Sequence, residues 1–388
     1  MTVFFCAVYT LVLVSMQLSG ITAVYLDYFL SWQYMHVLIV GLTVVVALCA
    51  LVLMKDMRMM KKLPLYGIDW TGSILWTVFL LSAVFVLQYG KYFDWFDSVY
   101  IRLGAVVCGS SLLLAVRRMF TAKRPYISPQ IFSYKGYKSG LSLLVAMVLL
   151  LSTGSTIQNI FTGSIMHYDS LNAISLNWLV LVGVIVGIVL SWYTMAVLQM
   201  RFKPVIFIGF ACLVSYQAVM YFALDPHMNI ETLYLPSVLR GAGYAILYVS
   251  LTLYPTRNVP FPHFFQSLSV MGFIRTGFVS VLAASMLTNW MTYLVKKNTM
   301  LLGWQLDVLN TRAVAIPAGT LSGELARQAM LVSIKEIFGW FTILGIVVLL
   351  LILTFRYVRP VIRIMPKIKY FRRYIRTKYS LTEVRSAK

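Results

Sequence analysis

The chain has 388 residues, of which 60% are hydrophobic and 12% are charged, and its formal net charge is +21. Soluble domains are about 45–50% apolar and about 25% charged, so this composition excludes a soluble globular fold of this length. It also argues against nucleic acid as a partner, because the basic residues are divided among short links and one tail and form no water-exposed basic domain.

Long apolar stretches recur along the chain and predict membrane-spanning helices. A helix of about 20 residues crosses the roughly 30 Å hydrocarbon core of a bilayer, and stretches such as 34–54, 70–89 and 337–354 have about that length. We therefore predict an all-α polytopic integral membrane helix bundle with about ten transmembrane helices. The predicted spans are about 3–26, 34–54, 70–89, 99–116, 139–160, 173–195, 205–224, 232–254, 264–288 and 337–358.

Basic residues in the links between spans predict the orientation. They concentrate in every second link, and such links lie in the cytoplasm under the positive-inside rule. Both chain ends are therefore expected on the cytoplasmic side of the cell (inner) membrane. The link 289–336 is predicted outside, and its own basic residues affect the orientation weakly because the link is long. The basic links hold Lys55, Arg58, Lys61 and Lys62; Arg117, Arg118, Lys123, Arg124, Lys135 and Lys138; Arg201 and Lys203; and Arg257.

The tail 359–388 mixes basic residues with aromatic and aliphatic ones, as in Lys-Tyr-Phe-Arg-Arg-Tyr-Ile-Arg-Thr-Lys at 369–378. Such a pattern can bind RNA, but beside a spanning helix it more often lies on anionic lipid headgroups. We therefore expect the lipid bilayer as the partner of the tail, and no nucleic acid.

The sequence lacks the residue patterns of an intramembrane enzyme or of a nucleotide-driven pump. No nucleophiles, acids or metal ligands converge at one depth of the predicted bundle. His36, His167 and His227 are predicted outside and His263 inside, so the four histidines cannot share one metal ion. No GxxxxGK[ST] phosphate loop is present. We expect no catalysis, no cofactor and no metal site.

Among the charges inside predicted spans two arginines stand out, because a central arginine costs about 2.5–3.5 kcal/mol on insertion scales. Arg240 begins the sequence Arg-Gly-Ala-Gly-Tyr, and Arg275 lies near the middle of its span between Gly272 and Gly277. Both should face the protein interior or an aqueous cavity. Each could line a solute path, or it could only hold neighbouring helices together by binding carbonyl or carboxylate groups.

Four further polar side chains in or near spans are candidates for hydrogen bonds to a solute. They are Gln158, Asn159, Tyr244 and Gln266. Each could serve a transport path together with the two arginines, although such groups more often make interhelical contacts.

Small and acidic residues mark structural positions. Gly183 and Gly187 are spaced GxxxG in an apolar span, which predicts close helix packing. Asp69 and Gly72 stand at a cytoplasmic helix entrance, where an aspartate can cap the first turn. We expect these residues to act through folding.

Several short motifs follow one another along most of the chain. They are Ser31-Trp32, Asp69-Trp70-Thr71-Gly72, Gly90 with Trp95, Pro125 to Gly140, Leu198 to Gly209, Arg240-Gly241-Ala242-Gly243, Phe273-Ile274-Arg275-Thr276, and Ser333 to Phe338. The most specific is the helix that starts with Asp-x-x-Gly and closes with Gly and Trp. In this order the motifs resemble the fourteen-span drug:proton antiporter branch of the major facilitator superfamily, the EmrB/QacA-like multidrug efflux proteins.

The resemblance implies a major-facilitator-like fold and proton-coupled efflux of drug-like or amphipathic small molecules, with protons and a periplasmic adaptor protein as partners. It aligns the chain with the family from span five onward. Residues 1–54 then match a remnant of the N-terminal bundle, 55–117 two central linker spans, and 118–358 a C-terminal six-helix bundle. The stretch 19–24 lacks the proline and the paired glycines of the family's antiporter signature. The alternative function is a non-transporting membrane module or partner subunit.

Overall fold

The computed structural model describes residues 2–53, 69–134, 136–198, 200–226, 228–304, 306 and 318–354. Across these ranges the chain is mainly helical and has no β-strand, so the predicted all-α class is confirmed. Some residues for which the sequence makes predictions lie outside the described ranges, namely the first basic link at 55–62, Lys135, His227, the part 307–317 of the predicted external link, and the tail 359–388.

Eleven α-helices form the described structure. They are α1 (Thr2–Phe29), α2 (Gln33–Leu53), α3 (Trp70–Tyr89), α4 (Val99–Thr121), α5 (Tyr137–Ile160), α6 (Ser170–Trp192), α7 (Phe202–Ala223), α8 (Tyr234–Thr256), α9 (Phe261–Gly272), α10 (Val279–Gly303) and α11 (Ala318–Thr354). Three helices run on into a π-helical turn: α5 into Phe161–Ile165, α6 into Tyr193–Val197, and α9 into Phe273–Phe278. The last of these turns joins α9 to α10.

By length and composition, nine helical stretches in the described part of the chain can cross a membrane. They correspond to all predicted spans except 232–254, which is the helix α8. That helix carries Arg240, yet it has 23 residues and most of its second half is buried. A more polar helix surrounded by apolar ones is typical of multi-pass membrane proteins, whose polar groups face the bundle interior.

The predicted link 289–336 is shortened by helices that extend into it from both ends, and its position outside the membrane stays a prediction. Helix α10 continues to Gly303 and α11 begins at Ala318, so most of this link is helical. The two helices extend as a pair, in which Asn298 Nδ2 donates to Ser333 Oγ at 2.9 Å and Lys297 lies 4.0 Å from Glu336. Hydropathy reports where the bilayer ends, whereas a helix continues past that boundary when no proline or glycine stops it.

Helix ends that the sequence places on one side of the membrane meet in the structure. The start of α3 joins the end of α4 through Asp69 and Arg118, and the start of α7 joins the end of α11, where Lys203 Nζ donates to the Leu353 carbonyl at 2.6 Å. At the opposite ends, Lys91 Nζ donates to Thr292 Oγ1 at 2.8 Å. The contacts agree with an up-and-down order of the helices.

Burial divides the chain into two regions. Helices α5 to α8 have many buried residues, whereas none of the residues of α2 is buried. Helix α1 contacts the buried region on one face, where Leu13 packs in a cluster with Val180, Val184 and Tyr248. The division of the chain at 54, 117 and 358 stays a prediction.

Candidate functional site

Asp69 connects three segments at one end of the bundle. Its Oδ1 accepts from the Gly72 amide at 3.0 Å and from Arg118 Nε at 2.7 Å, and its Oδ2 accepts from the Tyr126 amide at 3.2 Å. Burial alone would raise the pKa of Asp69, but the hydrogen bonds from Arg118 and from the two backbone amides outweigh it and hold the pKa below its usual range. A side chain at Gly72 would overlap this carboxylate. Asp69 and Gly72 thus form a structural cap.

Gly90 and Trp95 form the turn at the other end of α3. The Trp95 amide donates to the Gly90 carbonyl at 2.7 Å, and a methyl group on Gly90 would lie 2.8 Å from the indole ring. Asp94 and Trp95 both have left-handed backbone angles, with φ of 52° and 55°. The ring therefore packs on a position that only glycine can occupy, and the chain reverses here into α4.

Glycines bring α6 and α8 into backbone contact. A methyl group on Gly183 would overlap the Val238 carbonyl, and one on Gly187 would lie 2.6 Å from the Ala242 carbonyl oxygen. From the other side, a methyl group on Gly241 would overlap the carbonyl oxygen of a residue in α6. Small residues allow such close approach between helices in membranes. This packing fixes the position of α8, which carries the polar residues described next.

Three polar residues lie along one face of α8. Arg240, Tyr244 and Tyr248 are spaced four residues apart, so their side chains project from the same face. At 1.5 Å per residue, Arg240 and Tyr248 are separated by about 12 Å along the helix axis. We call these three residues together with Arg275, which packs on Tyr248, the α8 stripe.

At one end of the stripe, Arg240 is held by a neutral amide. Its Nη1 donates to Gln158 Oε1 at 3.0 Å, and the Tyr216 hydroxyl donates to the same oxygen at 2.9 Å. Gly154 makes room for the guanidinium, since a side chain there would overlap it. A neighbouring amide, Gln217, has its Oε1 buried without a hydrogen-bond partner. The contacts orient Arg240 without neutralising its charge.

At the other end of the stripe, Arg275 lies on an aromatic ring. Its Cζ is 3.9 Å from the centroid of Tyr248, whose ring makes edge-to-face contacts with Tyr9 at 5.4 Å and Tyr244 at 5.6 Å. Arg275 Nε is buried and has no hydrogen-bond partner. The residue belongs to the π-helical turn Phe273–Phe278, and such turns are frequent at functional sites.

Neither arginine of the stripe has an acidic partner in the described part of the chain. The ion pairs found there are Arg118 with Asp69 and Lys297 with Glu336. The sequence explains why, because none of its 12 acidic residues falls within a predicted span. Two positive charges therefore lie within the bundle without a carboxylate beside them.

The other residues predicted for a transport path lie apart from the stripe. Asn159 Nδ2 donates to the Ser155 carbonyl on its own helix at 2.8 Å. Gln266 Oε1 lies 3.3 Å from His263 Nδ1, also on its own helix. Both polar groups thus have local partners on their own helices.

Sequence reasoning missed several residues of the site. Tyr248 could have been found from its spacing of eight residues after Arg240, and Gly154 from its position one turn before Gln158. Tyr216 carries no such signal, because it lies on a different helix from both of its partners. Among the described residues, no three His, Cys, Asp or Glu side chains are grouped so that they could hold a metal ion.

The described fold, with nine apolar helices of spanning length, is that of a multi-pass α-helical membrane protein. No known protein-family model matches the chain, and a search of curated proteins finds no significant relative.

Proposed function

We propose that this protein is a transporter of amphipathic or drug-like small molecules, related to the fourteen-span drug:proton antiporter branch of the major facilitator superfamily. The α8 stripe carries the proposal. Charged side chains are costly in a bilayer, and those that face the interior of a helix bundle commonly mark solute or ion pathways. The motif order along the sequence supports the family assignment.

The proposed orientation has both chain ends in the cytoplasm of the cell (inner) membrane. It follows from the basic links, and the contacts between helix ends are consistent with it. In this orientation Arg240 lies in the half of α8 near the outer face, six residues after the helix begins at Tyr234. Arg275 contacts α8 eight residues further along, so the stripe extends from the outer half past the middle of the helix.

A second function, that of a membrane module which assembles with another chain, is favoured by one observation. None of the residues of α2 is buried, and Gly20 on α1 and Gly41 on α2 have no neighbouring atom within reach of an added methyl group. Helices with open faces of this kind can pack against lipid or against a second protein.

Dye efflux separates the two functions. The full chain is expressed in cells that lack their own efflux pumps, the cells are loaded with anionic, neutral and cationic fluorescent dyes, and efflux is recorded with and without a protonophore. We expect energised efflux of at least one dye, which the protonophore stops. Arg275→Gln should reduce its rate at least tenfold at an unchanged protein level in the membrane, because this charge is unpaired.

Arg102→Gln is the matched control, since Arg102 lies on α4, is exposed, and belongs to no part of the stripe. Its efflux should equal that of the wild type. Stable insertion of the wild-type protein without efflux of any dye would contradict transport and favour the membrane module.

A further inference from the structure

The charge of the α8 stripe restricts what can bind to it. Arg240 and Arg275 are both positive, and within the described chain neither has a carboxylate partner. In a low-dielectric bundle an unpaired charge interacts strongly with any charged group nearby. A cation would be repelled from both ends of the stripe, and an anion would be attracted.

Arg275 has unused hydrogen-bonding capacity. A guanidinium has five N–H donors in a planar fork that matches carboxylate, sulfonate and phosphate groups. Arg275 Cζ lies over the Tyr248 ring, 3.9 Å from its centroid, while its buried Nε has no acceptor. The cation–π contact holds the guanidinium in place and leaves the buried Nε without an acceptor.

The helix surface one turn before this arginine is open. Gly272, three residues before Arg275 and therefore on a neighbouring part of the helix surface, has no atom of another element within 4 Å of the position that a methyl group would take. The rings of Tyr9, Tyr244 and Tyr248 pack together next to the guanidinium and offer an apolar, aromatic surface. A charged group with an aromatic or apolar body would fill both parts of this site.

We propose that the α8 stripe is a binding site for amphipathic organic anions, in which Arg275 binds the carboxylate, sulfonate or phosphate group and the tyrosine cluster contacts the apolar body. This assignment rests on the proposed transport function and names its substrate class. Arg240 strengthens the positive potential from about 12 Å along the helix.

The phosphate group of an anionic lipid could also bind a guanidinium, but lipid phosphates lie at the membrane surface and Arg275 lies deeper. Tyr248 lies 14 residues after the start of α8 and eight before its end at Thr256, which corresponds to about 21 Å and about 12 Å along the axis. The arginine on Tyr248 is therefore below the headgroup level on either side. A free amphipathic anion reaches that depth more easily than a headgroup whose acyl chains keep it at the interface.

Binding of two matched probes tests the proposal without requiring transport. Pyrenebutyrate and pyrenebutyltrimethylammonium share the fluorophore and the chain and differ in the sign of the charge. The purified full chain is placed in phosphatidylcholine nanodiscs, and saturable binding is measured against empty nanodiscs. We expect pyrenebutyrate to bind at least tenfold more tightly than the cation. Equal affinity, or tighter binding of the cation, overturns the proposal.

Variants locate the site. Arg275→Gln should weaken pyrenebutyrate binding at least tenfold, Arg275→Lys should keep most of the affinity, and Arg102→Gln should keep all of it. The thermal unfolding midpoint of each variant shows whether it is folded. If Arg275→Gln does not fold, the relative affinity of the wild type for the two probes still tests the proposal. Wild-type affinity in a folded Arg275→Gln protein overturns the assignment to this arginine.

Nanodiscs with one fifth phosphatidylglycerol distinguish the two sources of the anionic group. Unchanged pyrenebutyrate binding supports a free anion as the occupant, and competitive loss supports a lipid phosphate in the same site. The proposed transport function can fail separately. Selective anion binding without efflux of any dye would contradict the transport function but support the anion site. Energised efflux of cationic dyes alone would support the transport function but contradict the anion site.

Discussion

Helices α2 and α6 have similar length and an apolar composition, but they differ in packing. Helix α2 has no buried residue, and Gly41 within it faces open space. Helix α6 packs Gly183 and Gly187 directly on the backbone of α8. Hydrophobicity therefore places both helices in a bilayer, whereas small residues at the correct spacing decide which helix face contacts protein. The contact between α6 and α8 through small residues positions α8, which carries Arg240, Tyr244 and Tyr248 of the candidate site.

A large side chain in the glycine interface should have the largest effect. Gly241→Leu would push α8 away from the backbone of α6, because an added methyl group already overlaps a carbonyl there. We expect a loss of about 3 kcal/mol or more in the free energy of unfolding, measured by dodecyl sulfate titration in mixed micelles.

The control is the same change on α2, Gly41→Leu, which should alter the free energy of unfolding by less than about 0.5 kcal/mol. Similar losses in both variants would show that the two regions do not differ in packing.

Removal of the negative charge of Asp69 should have the second largest effect. Asp69→Asn weakens two backbone hydrogen bonds and one from Arg118, and hydrogen bonds to charged groups contribute about 1.5–3 kcal/mol each. Because Arg118 is 40% exposed, solvent screening reduces its share, and we expect a total loss of about 2 kcal/mol at pH 7. Thermal unfolding of the purified protein measures it.

The same variant has a defined pH dependence. The folded pKa of Asp69 is lowered, so its stabilisation is present above the unfolded value of about 3.9 and is lost as the pH falls through the folded pKa. The difference between wild type and Asp69→Asn should therefore be constant from pH 7 to about pH 5 and shrink in more acidic solution. A difference that grows on acidification contradicts the hydrogen-bonded carboxylate.

The smallest effect concerns the hydroxyl that shares an acceptor with Arg240. Tyr216→Phe removes one hydrogen bond to Gln158 and keeps the ring, and interhelical hydrogen bonds in membranes average about 0.6 kcal/mol. Dodecyl sulfate titration should show a loss of that size. Tyr25→Phe, at an exposed tyrosine of α1, should show no loss. An equal loss in Tyr25→Phe would show that the loss in Tyr216→Phe does not come from the hydrogen bond to Gln158.

The sequence predicts the local features of this protein well, because they depend on neighbouring residues. Apolar length predicts ten spans, all of which are helices in the structure and nine of which have the length and composition to cross a membrane, and the spacing of Gly183 and Gly187 points to the interface in which the structure places them. The cap at Asp69 is also local, since the carboxylate accepts from an amide three residues away.

The sequence alone does not predict which helices contact each other when they are distant along the chain. Gln158 and Arg240 are both polar residues in spans, but their hydrogen bond joins positions 82 residues apart. Nothing in the sequence indicates that Tyr216 shares the same acceptor. The extension of α10 to Gly303 and the start of α11 at Ala318 were missed for a different reason, since hydropathy detects the bilayer boundary and not the end of a helix.

The central claim is that the α8 stripe takes part in a solute path through the bundle, and such a path must admit water when it opens. It is tested by Tyr244→Cys in a background without other cysteines, labelled in intact membranes with a charged, membrane-impermeant thiosulfonate. We expect labelling, which pyrenebutyrate slows, while Val45→Cys on the exposed face of α2 remains unlabelled within the lipid. Absence of labelling at both positions, in folded protein, would contradict the account, because the stripe would then be a dry contact between helices.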